Sequence, residues 1–163
     1  QTTTAKEGLN FKEEEPPYIR SVKIRENRYA PADVKAWHAT FPLTEVQKTL
    51  QEMGVDVGDI QEAKIEKKGK TGRATSLRFV GTNGNKVVPA SDFRIALDAM
   101  TMKSTLLSRF QVQGKNLTMT GKGFGHGVGL SQWDAHMLAK EGKKPEEIVK
   151  FFFRDIDIKK IWD

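Results

Sequence analysis

From Gly121 to Gly129, every second residue of the run GKGFGHGVG is glycine. A glycine inside a strand costs roughly 0.5–1 kcal/mol relative to alanine, so such a run survives only where bare backbone is needed. Two geometries account for the spacing. If the strand of Leu117 and Met119 continues, side chains alternate between its faces. Its core face then becomes backbone, against which a bulky group such as Trp133 can press. The opposite face carries Thr118, Thr120, Lys122, Phe124, His126 and Val128, a mixture that suits a ligand wall better than a core. If the chain bends instead, the glycines supply positive φ and leave amides open just ahead of a helix that starts near Ser131. Open amides before a helix N-terminus suit an anionic or oxygen-rich ligand. Close packing alone is the plainer alternative. Nucleotide motifs do not fit: GxGxxG fails in every register, and neither GxxxxGK[ST] nor GxSxG occurs.

Around this run the sequence predicts an α+β fold: a single domain with a largely antiparallel sheet and a few short helices. VKAWHATF (34–41) alternates, with Trp37, Ala39 and Phe41 on one face, and reads as a strand. Thr44 and Gln47 form a capping-box pattern ahead of the apolar stripe Val46, Leu50 and Met53, and Gly54 stops that helix. EAKIEKK, ATSLRFVG and KVVPA read as strands joined by the turns GKTG and TNGN, the second holding the Asn-Gly pair of tight hairpins. Ser91 is placed to cap a helix over 91–100. LLSRFQVQ and NLTMT pair around Gly114. Ser131 and Asp134 can cap a helix to about Lys140, and Pro145 opens another through EEIVKFFF. DIDIKKIW reads as a last strand, and Phe151–Phe153 as core. Residues 1–17, with Glu13–Glu15 and Pro16-Pro17, read as a flexible N-terminal arm ahead of a domain over 18–163.

The 163 residues suffice for one hydrophobic core. Charge is uneven: residues 1–60 hold 8 basic and 10 acidic side chains, whereas 61–163 hold 19 and 11. The second part therefore favours anionic partners. A nucleic-acid reading lacks interleaved aromatics and any recognisable motif. Without cysteine there are no disulfides or thiolate metal sites, and three scattered histidines make no metal set. No apolar run approaches the ~20 residues of a membrane span. The opening QTTTAKEGLNFKEEEPP reads as the start of a processed or excised chain.

GKGFGHGVGLSQWDAHMLAKEG (121–142) closely resembles the signature of the stage II sporulation protein D family, which includes the LytB amidase enhancers. PPYIRSV (16–22), TGR (71–73), DFR (92–94) and KSTLLSRFQV (103–112) are similar to further family segments, so the resemblance spans about Pro17 to Trp162. It implies a cell-envelope, extracytoplasmic protein acting on peptidoglycan; the zinc that some members hold with cysteine and histidine is not expected in a chain without cysteine, so no cofactor is expected. The implied partners are glycan strands, and for the enhancer branch an amidase or another cell-wall protein. The family's enzymes are lytic transglycosylases that cleave the MurNAc–GlcNAc bond of peptide-stripped strands. A glutamic acid protonates the glycosidic oxygen, and the muramic C6 hydroxyl closes on C1 to leave a 1,6-anhydro end. That glutamate lies in an alanine-rich helix upstream of the PYLRSV-like segment. No part of this chain matches that helix, so no residue here takes its role. The alternative reading is a non-catalytic wall-binding or amidase-enhancer module.

On this basis His126 is the leading candidate, as a hydrogen-bond donor to a sugar or acyl oxygen or as a support for a glutamate. Gln132 is a candidate for an acetamido or hydroxyl group. Ser131 reads first as a helix cap. Arg94 and Lys122 are candidates for the lactyl carboxylate of muramic acid, and Ser104 and Thr105 are groove candidates. Trp133 reads as core rather than as a stacking surface, His38 and His136 as surface, and Asp134 as the capping partner of Ser131 where the family has glycine.

Overall fold

The computed structural model describes residues 1–161. Its elements begin with α1 (Ala5–Leu9), α2 (Ala32–Lys35), β1 (Trp37–Pro42), α3 (Leu43–Glu52), β2 (Ile60–Lys68) and β3 (Ala74–Gly81). They continue with β4 (Gly84–Pro89), α4 (Ala90–Asp98), β5 (Leu107–Gln113), β6 (Asn116–Gly121), α5 (Gln132–Lys140) and α6 (Pro145–Phe152). The fold is α+β, with two three-stranded antiparallel sheets ordered β1–β6–β5 and β2–β3–β4.

Alternation builds both sheets. In β1 the buried residues are Trp37, Ala39 and Phe41, and in β3 they include Leu77 and Phe79. Leu117 and Met119 of β6 turn the same way as Ala39, which pairs with Met119. Between the sheets Phe79, Phe93 and Phe110 meet with centroids 5.0–6.2 Å apart. Burial of each ring contributes about 1.5–3 kcal/mol. The α3 residues Val46 and Leu50 close the same core. Thr82 and Asn83 make the β3–β4 turn between the paired Gly81 and Gly84, and Gly84 has φ 102°.

Residues 2–15 differ from the expected flexible arm. Thr2 and Thr3 are buried, and α1 packs on the glycine run. Glu15, part of the acidic run, accepts the amides of Ala5 and Lys6 at the start of α1. Glu7 anchors the segment to the 69–72 turn. Its carboxylate accepts bonds from the Thr3 and Thr71 hydroxyls and the Lys70 and Thr71 amides at 2.7–3.3 Å.

The expected helix caps did not form. Proline occupies the N-cap position of both α3 and α4, one residue or more before the expected start. Fixed proline φ suits the entry to a helix, so the Thr44–Gln47 box and the Ser91 cap are not needed. Ser131 does stand at the N-cap of α5, but its hydroxyl makes no capping bond. Asp134 accepts instead from Asn27 Nδ2 at 2.9 Å. The first strand starts at Trp37 rather than 34, because Ala32–Lys35 form a helical turn behind Pro31. The expected last strand is irregular over 156–161, and its Trp162 lies outside the described residues. Phe153 forms a single bridge to Ile19, and of the three phenylalanines only Phe152 is fully buried. The helix opened by Pro145 forms as expected, with the Lys144 amide donating to Glu147 at 2.8 Å.

Candidate functional site

The glycine run resolves the two geometries of the sequence in favour of the bend. The strand ends at Gly121, and Gly123, Gly125, Gly127 and Gly129 all have φ between 75° and 86°. Two different needs are met. At Gly123 a Cβ would meet nothing within 4 Å, so only the left-handed backbone requires glycine there. At Gly121 and Gly127 the requirement is also space: a Cβ would lie 2.4 Å from the Trp37 ring and 2.3 Å from Arg73 Nη2. The bulky group against the bare strand end is therefore Trp37, not Trp133.

The loop is pinned from several sides. Its amides at Lys122, Gly123 and Gly125 donate to the carbonyls of Leu106, Val34 and Lys103 at 2.7–3.1 Å, and Gly127 O accepts from Thr3 N at 2.8 Å. These amides are thus engaged rather than open to a ligand. What the loop presents is its alternate side chains. Lys122, Phe124, His126 and Val128 line a cleft of about 560 Å³ together with the first turn of α5. Thr118 and Thr120 stay on the sheet and do not join them.

His126 is exposed in this cleft. Its Nδ1 accepts the Val128 amide at 3.0 Å, which leaves the proton of the neutral ring on Nε2. Burial of part of the ring, and then the positive charges of Arg94 and Arg73, hold its pKa below the ordinary 6.5. At neutral pH His126 is therefore an uncharged donor at Nε2, positioned by a backbone amide at Nδ1.

Gln132, Ser131 and Trp133 line the same cleft. Trp133 is 39% exposed, which corrects its reading as core, and Phe124 is 47% exposed. The Trp133 ring meets His136 edge-on at 6.0 Å, and His136 meets Tyr29 at 5.8 Å. His38 and His136 are exposed, as expected. Asn27, which sequence reasoning missed, ties this wall to the 24–30 segment. Its Nδ2 donates to Trp133 O at 2.6 Å and to Asp134, and its Oδ1 accepts from Tyr29 N.

The remaining candidates lie elsewhere. Arg94 is buried, not solvated, and donates to Met102 O and Ala99 O at 2.8 Å, closing the turn after α4. Ser104 is fully buried; its hydroxyl donates to Lys122 O at 2.6 Å and accepts from Leu106 N. Thr105 is buried beside it, and its carbonyl accepts from Ala74 N. None of the three lines the cleft. Two other arginines do, Arg25 and Arg73, and Arg73, last residue of the TGR segment, has only 5% of its surface exposed. Burial, then repulsion from Arg94, lowers its pKa to about 10, so it stays cationic. The TGR similarity was the available signal, but nothing in the sequence shows that residue 73 lies under residue 127.

Residues 19–129 match the family described as domain of unknown function DUF8618. Stage II sporulation protein D of Bacillus amyloliquefaciens is 32% identical over 145 residues, and that of Bacillus subtilis (strain 168) 30% over 152. Each alignment covers 87% of this chain and 38% of the relative. The amidase enhancer of Bacillus subtilis (strain 168) is 38% identical over 66 residues, 40% of this chain and 9% of the relative. The chain thus spans little more than a third of the length of the sporulation proteins it matches. It belongs to the DUF8618 family and, with these relatives, to the stage II sporulation protein D and LytB amidase-enhancer family.

Proposed function

We propose that this member of the family works on peptidoglycan in the cell envelope, outside the cytoplasm, and that its cleft forms one wall of a groove for glycan strands. The observation that carries the reading is the exposed His126 in the 560 Å³ cleft, held as a neutral Nε2 donor, with the half-exposed Trp133 lining the same cleft. A pyranose offers an apolar face to an indole and hydroxyl or acetamido oxygens to an N–H. Aromatic surface with one polar handle fits that pattern. Lys122 and Gln132 add a cation and an amide to the lining. Similarity to stage II sporulation protein D supports the cell-wall assignment. Among the described residues no helix is long and apolar enough to cross a membrane.

In the finer reading, the groove belongs to a lytic transglycosylase that cleaves the MurNAc–GlcNAc bond of peptide-stripped strands and leaves 1,6-anhydro-MurNAc ends. This chain then supplies substrate-binding groups and no catalytic residue: His126, neutral at working pH, positions a sugar oxygen rather than protonating it. The second reading, a wall-binding module that assists an amidase, is favoured by the match to the amidase enhancer. Incubation of the chain with peptide-free glycan strands tests both. Retention on the strands is expected. Retention without new anhydro-muramic ends is what both readings predict for a chain that carries no catalytic glutamate, new ends would place a catalytic group in this chain, and failure to bind overturns both.

A further inference from the structure

His126 is held in place from outside the cleft, by the segment that runs from Thr3 through α1. Thr3 N donates to Gly127 O at 2.8 Å, and Thr3 forms a parallel bridge with Val128, whose amide bonds His126 Nδ1. Gly8, inside α1, packs against the same residues: a Cβ there would stand 2.6 Å from both His126 O and Val128 Cγ2 and 3.0 Å from Thr3 Cγ2. Its φ is not positive. Alanine is also the better helix former, so only the close approach of α1 to the loop calls for glycine. Thr3 is fully buried and tied down in turn, with its hydroxyl 2.9 Å from that of Thr71 and donating to Glu7 at 2.9 Å. Neither Thr3 nor Gly8 lines the cleft, so neither touches what enters it.

We propose that Thr3 and Gly8 are positioning residues of the cleft: by fixing Gly127 and Val128 they decide which nitrogen of His126 offers its proton to a ligand. The inference rests on the glycan reading for the identity of that ligand and adds how its donor is set. A neutral imidazole donates from one nitrogen and accepts at the other, and the bond made at one fixes the tautomer. With the Val128 amide on Nδ1, the donor is Nε2. A loop displaced at 126–128 withdraws that amide. The ring then turns and exchanges tautomers, and the donor no longer stands where the sugar oxygen needs it. Supporting groups of this kind keep binding geometry within about 0.5 Å.

The test is NMR on Gly8→Ala in the full chain, following exchange of the Val128 amide with deuterium and the nitrogen shifts of the His126 ring. The variant is expected to keep the spectrum of the β2–β3–β4 sheet, to exchange the Val128 amide at least about tenfold faster, and to show mixed tautomers at His126. Calorimetric affinity for peptide-free glycan strands is expected to fall about tenfold with it. Lys6→Ala, the same new residue on the exposed side of α1, is expected to leave all three readings at wild type. Should Gly8→Ala not fold, the wild-type chain still decides: its Thr3 and Val128 amides are expected to exchange together, within about threefold, because one holds the other. A Val128 amide that stays protected while Thr3 exchanges freely, or a folded Gly8→Ala with unchanged Val128 and His126 signals, overturns the proposal. So does a changed His126 signal with unchanged affinity. A wild-type chain that binds no strands overturns the glycan reading, while the exchange and tautomer measurements still judge the positioning.

Discussion

Gly127 and Arg73 are in contact: a Cβ at Gly127 would stand 2.3 Å from Nη2 of the arginine. The loop crosses the guanidinium there with φ 76°, whereas Gly123 has φ 80° and no neighbour within 4 Å. Alanine at either site meets the left-handed backbone penalty of about 1–3 kcal/mol. Only Gly127→Ala also displaces a buried charged side chain. Urea denaturation is expected to show Gly127→Ala as clearly the less stable variant, by more than about 1 kcal/mol.

The imidazole of His126 sets a pH signature. Its folded pKa is below 6.5, so as pH falls through that region the unfolded chain binds a proton that the folded loop resists. Stability from this group is complete above pH 6.5 and is lost as pH falls through the depressed folded value. Protonation at Nδ1 also breaks the bond from the Val128 amide. NMR titration is expected to place the His126 midpoint below 6.5 with the proton on Nε2 at neutral pH. Arg73→Gln removes a repelling charge and is expected to move that midpoint up.

Glu7 tests the docking of residues 2–9. Burial pushes its carboxyl up, and the bonds from Thr71, Lys70 and Thr3 outweigh this, leaving it below 4.5. Its stabilisation is present above the unfolded value and lost as pH falls through the folded one. Glu7→Gln is expected to cost about 1–2 kcal/mol at neutral pH. The gap between variant and wild type in urea midpoint is expected to narrow below pH 4.5.

Two tryptophans separate stability from binding. Trp37, 6% exposed, fills the space left by Gly121, and Trp37→Ala is expected to cost about 3–5 kcal/mol. Trp133 is 39% exposed on the cleft. Trp133→Ala is expected to leave thermal unfolding nearly unchanged and to weaken retention on glycan strands by more than about fivefold.

The strands were legible because alternation states which face is buried. ATSLRFVG gave β3 with both ends in place, and Asn83-Gly84 marked its hairpin. Helix starts were less legible, since a Ser or Thr in a capping pattern and a preceding proline compete for one position. Pro42 and Pro89 prevailed. The polar N-terminal stretch was read as loose because its partners are distant in sequence: Glu7 meets residues 70 and 71, and Gly8 packs against His126 O. The same distance hid that Arg73 lines the cleft and Arg94 does not. His126, Ser131, Gln132 and Lys122 were readable together because one short segment carries them all into the cleft.

The central claim is that a saccharide lies between the glycine loop and α5. Amide and imidazole NMR spectra of the chain, recorded while peptide-free glycan strands are added, test it most directly. The account predicts shifts concentrated in residues 122–134 and at the His126 ring, with the β2–β3–β4 sheet unmoved. Binding that shifts the sheet and leaves the His126 ring and its loop unchanged would contradict it.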